Sequence, residues 1–196
     1  MGKFILGAFL TAITVFAWEA FSWSVLGWHG NGFHSFRNEE EVAEVIKKNV
    51  TSGHGIYRLP TMDEAPKLAT AEEKKSYEQK QMEAMQNGPY IHAIIRPGKG
   101  ESSMGTNLTL SFLRSLICAL LIAALLSQAA LFYPARIAFV AAAGLFAGLA
   151  CDLPSWIWME YPARDTIVNL ADHLITWIIG GTVLGAFVGR DPVLTR

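Results

Sequence analysis

The chain has 196 residues, a formal net charge of −1, 52% hydrophobic residues and 17% charged ones, where a soluble domain carries about a quarter charged. That balance, with no basic run, excludes the electrostatic footprint of a nucleic-acid-binding protein or a polybasic membrane-surface protein. Ten of the sixteen Lys and Arg and eleven of the seventeen Asp and Glu lie within residues 29–107, so the remainder is depleted in charge as bilayer-spanning segments are.

Residues 4–27 form the first apolar run, long enough to cross the hydrocarbon core, and residues 1–28 are read as transmembrane helix one. A cleaved signal peptide is the rival reading. The length of the run, Glu19 within it and the lack of a small-residue cleavage site favour a retained helix. Gly2 opens no myristoylation motif, because Leu6 stands where Ser or Thr is required.

Residues 29–107 read as an extracytoplasmic α+β insert. Asn38 caps a helix over 39–48, with acids in its first turn and lysines in its last. A strand over 56–59 is closed by Pro60. A charged helix over 71–86 is stopped by Gly88-Pro89, and a second strand covers 90–96 before the turn at 97–100. The two strands are expected to pair, with the helix from Ala71 packed on one face. The core is thin for a unit of this size, so the insert is expected to lean on the membrane surface or a partner. It contains no cysteine, which excludes a disulfide framework there. Cys118 and Cys151 fall in apolar stretches at different depths and read as small buried hydrophobes.

The second span covers 108–131 and is broken by Tyr133-Pro134. The third covers 135–153 and is expected to end at Pro154. A polar-aromatic link over 155–166 leads to the fourth span, 167–189, and a cytoplasmic tail, 190–196. The fold expected is mainly α: a four-helix transmembrane bundle with a small α+β domain inserted between helices one and two. Lys3, Arg136, Arg190 and Arg196 fall on one side of the bilayer, so the positive-inside rule puts both termini in the cytoplasm and the insert outside. Trp23, Trp28, Trp156 and Trp158 then form an aromatic belt at the outer interface, with Phe132-Tyr133 at the inner one.

Five ionisable residues lie inside the spans: Glu19, Arg114, Asp152, Asp172 and His173. Stranded at the bilayer centre, each would cost about 2.5–3.5 kcal/mol, so each faces protein or water. All five fall in the outer halves of their helices. Helix phase makes them converge, because Ala8, Thr11, Ala12, Glu19 and Ser22 share one stripe of the first span. Asn107, Ser111, Arg114, Ser115 and Cys118 share one on the second, and Asn169, Asp172, His173, Thr176 and Gly180 one on the fourth. An outward-opening polar pocket follows. In the structural reading, Arg114 pairs with Glu19 or Asp172 and the others hydrogen-bond to hold the bundle. In the functional reading, the pocket takes a proton, a metal or a cationic solute.

His29 and His34 are candidate metal ligands across a glycine-rich turn, against the reading that they are interfacial histidines beside the aromatic belt; an ion site needs three or four ligands. Asp172-His173 is not an acid–histidine pair, since adjacent helical residues point about 100° apart. The Gly144/Gly148 and Gly181/Gly185/Gly189 stripes pack helices within the bundle or, on an outer face, build a homodimer. No phosphate-loop or dinucleotide pattern is present, and no cofactor is expected.

Trp28-His29, Gly55-Ile56-Tyr57 with Pro60, the Arg96-Pro97 turn, and Pro154-x-Trp156-x-Trp158 with Tyr161-Pro162 occur in that order over most of the chain. This order resembles small four-helix bacterial inner-membrane proteins, uncharacterised in function. The resemblance implies a bacterial envelope setting and carries over no activity. The function expected is that of a non-enzymatic membrane accessory protein that contacts a protein partner through its external domain. The alternatives are a small proton- or cation-coupled transporter built on the buried carboxylates, and a metal-dependent membrane enzyme.

Overall fold

In the computed structural model, which describes residues 1–61, 70–100 and 103–192, the chain runs α1 (Gly2–Ser24), a 3-10 turn (Gly30–Gly32), α2 (Glu39–Asn49), β1 (Gly55–Leu59), α3 (Ala71–Asn87), β2 (Ile91–Ile95), α4 (Met104–Leu126), α5 (Tyr133–Trp158) and α6 (Ala163–Phe187). Four of these, α1, α4, α5 and α6, are 23 to 26 residues long and apolar enough to cross a membrane; the chain is a multi-pass membrane protein. It divides into two compact units, one of Met1–His34 with Ser102–Arg196 and one of Ser35–Glu101.

In the smaller unit, Asn38 caps α2 by accepting from the Glu41 backbone N–H at 3.2 Å. α3 opens with a reciprocal capping box: the Thr70 hydroxyl accepts from the Glu73 N–H at 3.2 Å, and the Glu73 carboxylate accepts from the Thr70 N–H at 2.7 Å. Those bonds hold the Glu73 carboxyl below its ordinary value. β1 and β2 pair antiparallel as expected, with Ile56 opposite Ile94 and Arg58 opposite His92. The expected docking of α3 on the sheet is not found. α3 has no buried residue, and what ties it back is the Gln81 amide donating to the Thr61 carbonyl at 3.0 Å. The cause is in its sequence: Tyr77, Met82 and Met85 are too few apolar side chains to make a packing stripe.

In the helical unit, α5 and α6 pack most intimately, and the glycines are the reason. A Cβ on Gly144 would strike the Trp177 side chain, and one on Gly181 would come within 3.2 Å of the Ile137 backbone. The glycine stripes therefore pack helices inside the bundle. α1 lies against both α4 and α6. The dry core gathers at one end of this unit: Ala8 and Ala12 of α1, Ala119, Ile122, Ala123 and Leu126 of α4, Val140 of α5, Leu184 of α6, and Val188 just after it. Arg136 fastens the same end. Its Nε donates to the Leu131 carbonyl at 2.8 Å, its Nη1 to the Gly185 carbonyl at 3.0 Å, and its Nη2 to Asp191 at 2.6 Å.

Pro154 does not end the third span. α5 continues through it to Trp158, because proline at that point removes only one N–H and the helix stops a turn later, where the Met159 N–H bonds the Ser155 carbonyl. Trp156 and Trp158 thus ride on the last turn of α5 rather than on a link. α6 starts at Ala163, behind Pro162 as its N-cap.

Candidate functional site

Towards the other end of the helical unit the apolar packing gives way to polar side chains. α1 contributes Trp18, Glu19, Ser22 and Trp23, which the helical period brings to adjoining faces. α6 contributes Asn169, Asp172, His173 and Thr176 at the same three- and four-residue spacing. The turn after α1 supplies His29. Gly27, at φ 67°, takes a left-handed conformation that favours glycine and turns the chain so that His29 folds back against α1. His29 is 7% exposed.

Asp172 is the hub. Its Oδ1 accepts from the Trp18 indole N–H at 2.9 Å and from the Ser22 hydroxyl at 2.9 Å. Its Oδ2 lies 3.3 Å from His29 Nε2. Ser22 Oγ in turn accepts from the Trp28 indole at 2.8 Å and lies 3.2 Å from the same His29 nitrogen. Ser22 has one proton and gives it to Asp172, so the hydrogen between His29 Nε2 and its two oxygen neighbours sits on the imidazole. This Ser–His–Asp grouping is not a nucleophilic relay. A relay needs the acid on one ring nitrogen and the hydroxyl on the other; here both meet Nε2, and the serine hydrogen is spent on the acid. The constellation is a hydrogen-bonded strut joining α1, the turn after it and α6.

Two further pairs join helices. Arg114 of α4 bonds Glu19 of α1, and the Ser115 hydroxyl approaches the same Glu19 oxygen at 3.4 Å. His173 of α6 lies 3.2 Å from Asp152 of α5, a contact at ion-pair distance without hydrogen-bond alignment.

Between α1, α4 and α6 these groups enclose an open cavity of about 450 Å³, lined by Phe16, Glu19, Ala20, Trp23, His29, Leu108, Ser111, Arg114, Asn169, Asp172, His173 and Thr176. That volume falls in the range of small-molecule sites, about 300–1,000 Å³. A smaller cavity of about 150 Å³ shares Trp23, His29 and Asn169 with it, and the side chains of Trp23 and His29 stand between the two. The polar lining of the large cavity is not used up internally. Arg114 bonds Glu19 with one of its N–H groups, out of the five a guanidinium carries. Thr176 is 3% exposed, and neither its hydroxyl nor the Ser111 hydroxyl nor the Asn169 amide has a hydrogen-bond partner among the described residues.

Four of the five ionisable residues singled out from the sequence, Glu19, Arg114, Asp172 and His173, line this one cavity; Asp152 stands behind it, against His173. Of the two sequence-derived partners for Arg114, Glu19 is the one it meets, and Asp172 belongs to His29 instead. His29 is a member of the site, whereas His34 is exposed. Among the described residues no group of three or more His, Cys, Asp or Glu could hold a metal ion. Trp23 stacks on His29 and Trp28 bonds Ser22, while Trp156 and Trp158 are exposed at the end of α5. Trp18 was missed in the sequence, although its four-residue spacing from Ser22 was a usable signal. No protein-family model, curated protein or solved structure matches the chain.

Proposed function

We propose that this chain is a non-enzymatic accessory protein of the bacterial inner membrane, with both termini in the cytoplasm, residues 29–107 outside, and a polar binding pocket in the outer leaflet. The observation that carries this reading is the use made of the acids. Glu19, Asp152 and Asp172 each meet a base on another element, Arg114, His173 and His29 respectively. Groups committed to joining helices hold a shape rather than perform a reaction. The orientation is supported by the clustering of Arg136 and Arg190 at the end where Gly7 of α1 lies against Phe187 of α6 and Val188 just after it, because Lys3 belongs to that end as well. The external unit is the docking element. Ile56 and Ile94, opposite each other in the sheet, are 69% and 75% exposed, an apolar pair that a partner would cover.

A photo-crosslinking residue at Ile94, in intact cells, should give a discrete adduct that Ile56→Lys abolishes while the purified protein stays folded. No adduct, or an adduct indifferent to Ile56→Lys, defeats the accessory reading. A small proton- or cation-coupled transporter is the second reading, favoured by the position of Glu19 and Asp172 on the cavity wall. Cation- or proton-dependent flux in vesicles, lost in Glu19→Gln, would put it first.

A further inference from the structure

We propose that the large cavity binds a zwitterionic headgroup bearing a primary ammonium beside an anionic oxygen group, and that its source is an outer-leaflet lipid such as phosphatidylethanolamine. This rests on the membrane reading above and names the ligand of the same pocket.

The first ground is where the bundle parts. α4 and α6 both pack on α1 but scarcely on each other, and the apolar core that unites all four helices lies at the far end. The cavity occupies the gap between them. Asp172 lies about 14 Å along α6 from its start, at 1.5 Å per residue, so the polar groups are within bilayer depth. A gap between two membrane helices opens sideways to lipid, and the exposed Leu110, Leu113 and Ile117 on α4 offer an apolar track for acyl chains.

The second ground is the unspent polarity. Thr176 is 3% exposed, and its hydroxyl, which is not itself shut off from the cavity it lines, has no hydrogen-bond partner among the described residues. Ser111 on α4 and Asn169 on α6, both half-buried, also have no side-chain hydrogen-bond partner among the described residues. Arg114 has N–H groups to spare, and Glu19 meets Arg114 and Ser115 through Oε2 alone, which leaves Oε1 for another donor. An anion fits the free guanidinium hydrogens and the Asn169 amide. A primary ammonium fits Glu19 Oε1 and the hydroxyl oxygens of Ser111 and Thr176. A zwitterion laid antiparallel to the Glu19–Arg114 pair satisfies both at once. A quaternary ammonium, having no N–H, leaves the acceptors unmet, and a headgroup with no cation leaves Glu19 Oε1 without a donor.

The test is native mass spectrometry of the full chain released from nanodiscs containing equal parts of phosphatidylethanolamine, phosphatidylcholine and phosphatidylglycerol. Phosphatidylethanolamine should be retained preferentially. Thr176→Val, close to isosteric, should cut retention about fivefold, as expected for one hydrogen bond, and Ser111→Phe, which fills the cavity without removing a charge, should abolish it. Equal retention of the three lipids, or retention unchanged in both variants, overturns the proposal. Phosphoethanolamine binding to the detergent-purified protein without lipid preference in nanodiscs overturns the lipid source and assigns the zwitterion to a free solute. The adduct at Ile94 is independent of these outcomes, so the accessory reading stands or falls separately.

Discussion

Trp23 lies flat on His29, with ring centroids 4.1 Å apart and planes 3° from parallel. Trp28 meets the same imidazole edge-on at 5.6 Å and 77°. With Asp172 and Ser22 at Nε2, His29 is fixed on every side that matters for its direction, although it sits in a turn and not in a helix. The turn is therefore part of the bundle, and the bond from the Arg164 guanidinium to the Trp28 carbonyl at 3.3 Å fastens it to the start of α6.

The strut through Asp172 should dominate the stability of this end. Asp172→Leu strands the Trp18 indole, the Ser22 hydroxyl and His29 together, and each buried donor left without its partner costs about 1–3 kcal/mol. Asp172→Asn should cost less. Its carbonyl oxygen still accepts from Trp18 and Ser22, and the imidazole can change tautomer to accept from the new amide. Thermal unfolding in detergent should rank wild type above Asn above Leu; equal loss in both variants would refute the tautomer argument.

Arg114 should couple to Glu19 and not to Asp172. The Arg114 side chain is 60% exposed and that of Glu19 25%, so Arg114→Leu should cost far less than Asp172→Leu. Adding Glu19→Gln to Arg114→Leu should recover part of the loss, with a coupling of about 0.5–3 kcal/mol for residues in contact. Adding Asp172→Asn should be additive. A double-mutant cycle measures both.

Gly144→Ala should loosen the α5–α6 pair. The new methyl would land on the Trp177 side chain, and overpacking a close contact costs about 1–3 kcal/mol. Gly98→Ala, with open space around it, should stay within about 0.5 kcal/mol of wild type. Unfolding midpoints of the two variants make the comparison.

The capping box of α3 should respond to acid. The Glu73 carboxyl is held below the ordinary carboxylate range by the Thr70 backbone N–H and then by the Thr70 side chain. A group with a lowered native value contributes stability that is complete above the unfolded value and fades as pH falls through the native one. Protection of the first-turn amides of α3, relative to their unstructured exchange rate at the same pH, should therefore fall as Glu73 becomes protonated; Glu73→Gln should remove that dependence, whereas Thr70→Ala, which keeps the backbone N–H, should only weaken it.

The four spans and the α1 stripe were legible because burial in a helix repeats at a fixed angle: Ala8, Thr11, Ala12 and Ser22 are each fully buried. The α6 stripe was legible for the same reason, with Asp172, Thr176 and Gly180 turned inward. The α4 stripe was only half right. Ser115 is buried, but the packed face continues through Ala119, Ile122, Ala123 and Leu126, small and apolar residues that polarity alone does not flag. The pairing of His29 with Asp172 could not be read, since the two are 143 positions apart and their meeting depends on how one glycine turns the chain. The end of α5 was misread because a proline removes a single N–H from the ladder, a loss that membrane-spanning helices tolerate inside their length.

The Arg136 anchor has a mechanical meaning for the cavity at the opposite end. With Leu131, Gly185 and Asp191 all bonded to one guanidinium, and Ile122, Ala123 and Leu126 sunk into the dry core, the foot of the bundle is fixed. Arg114 stands about 15 Å up α4 from the position of Ala124, at 1.5 Å per residue. The Glu19–Arg114 bond joins α4 to α1 there, beside the edge contact of Phe16 with Phe112, so the cavity wall is built upward from a foot that is already set.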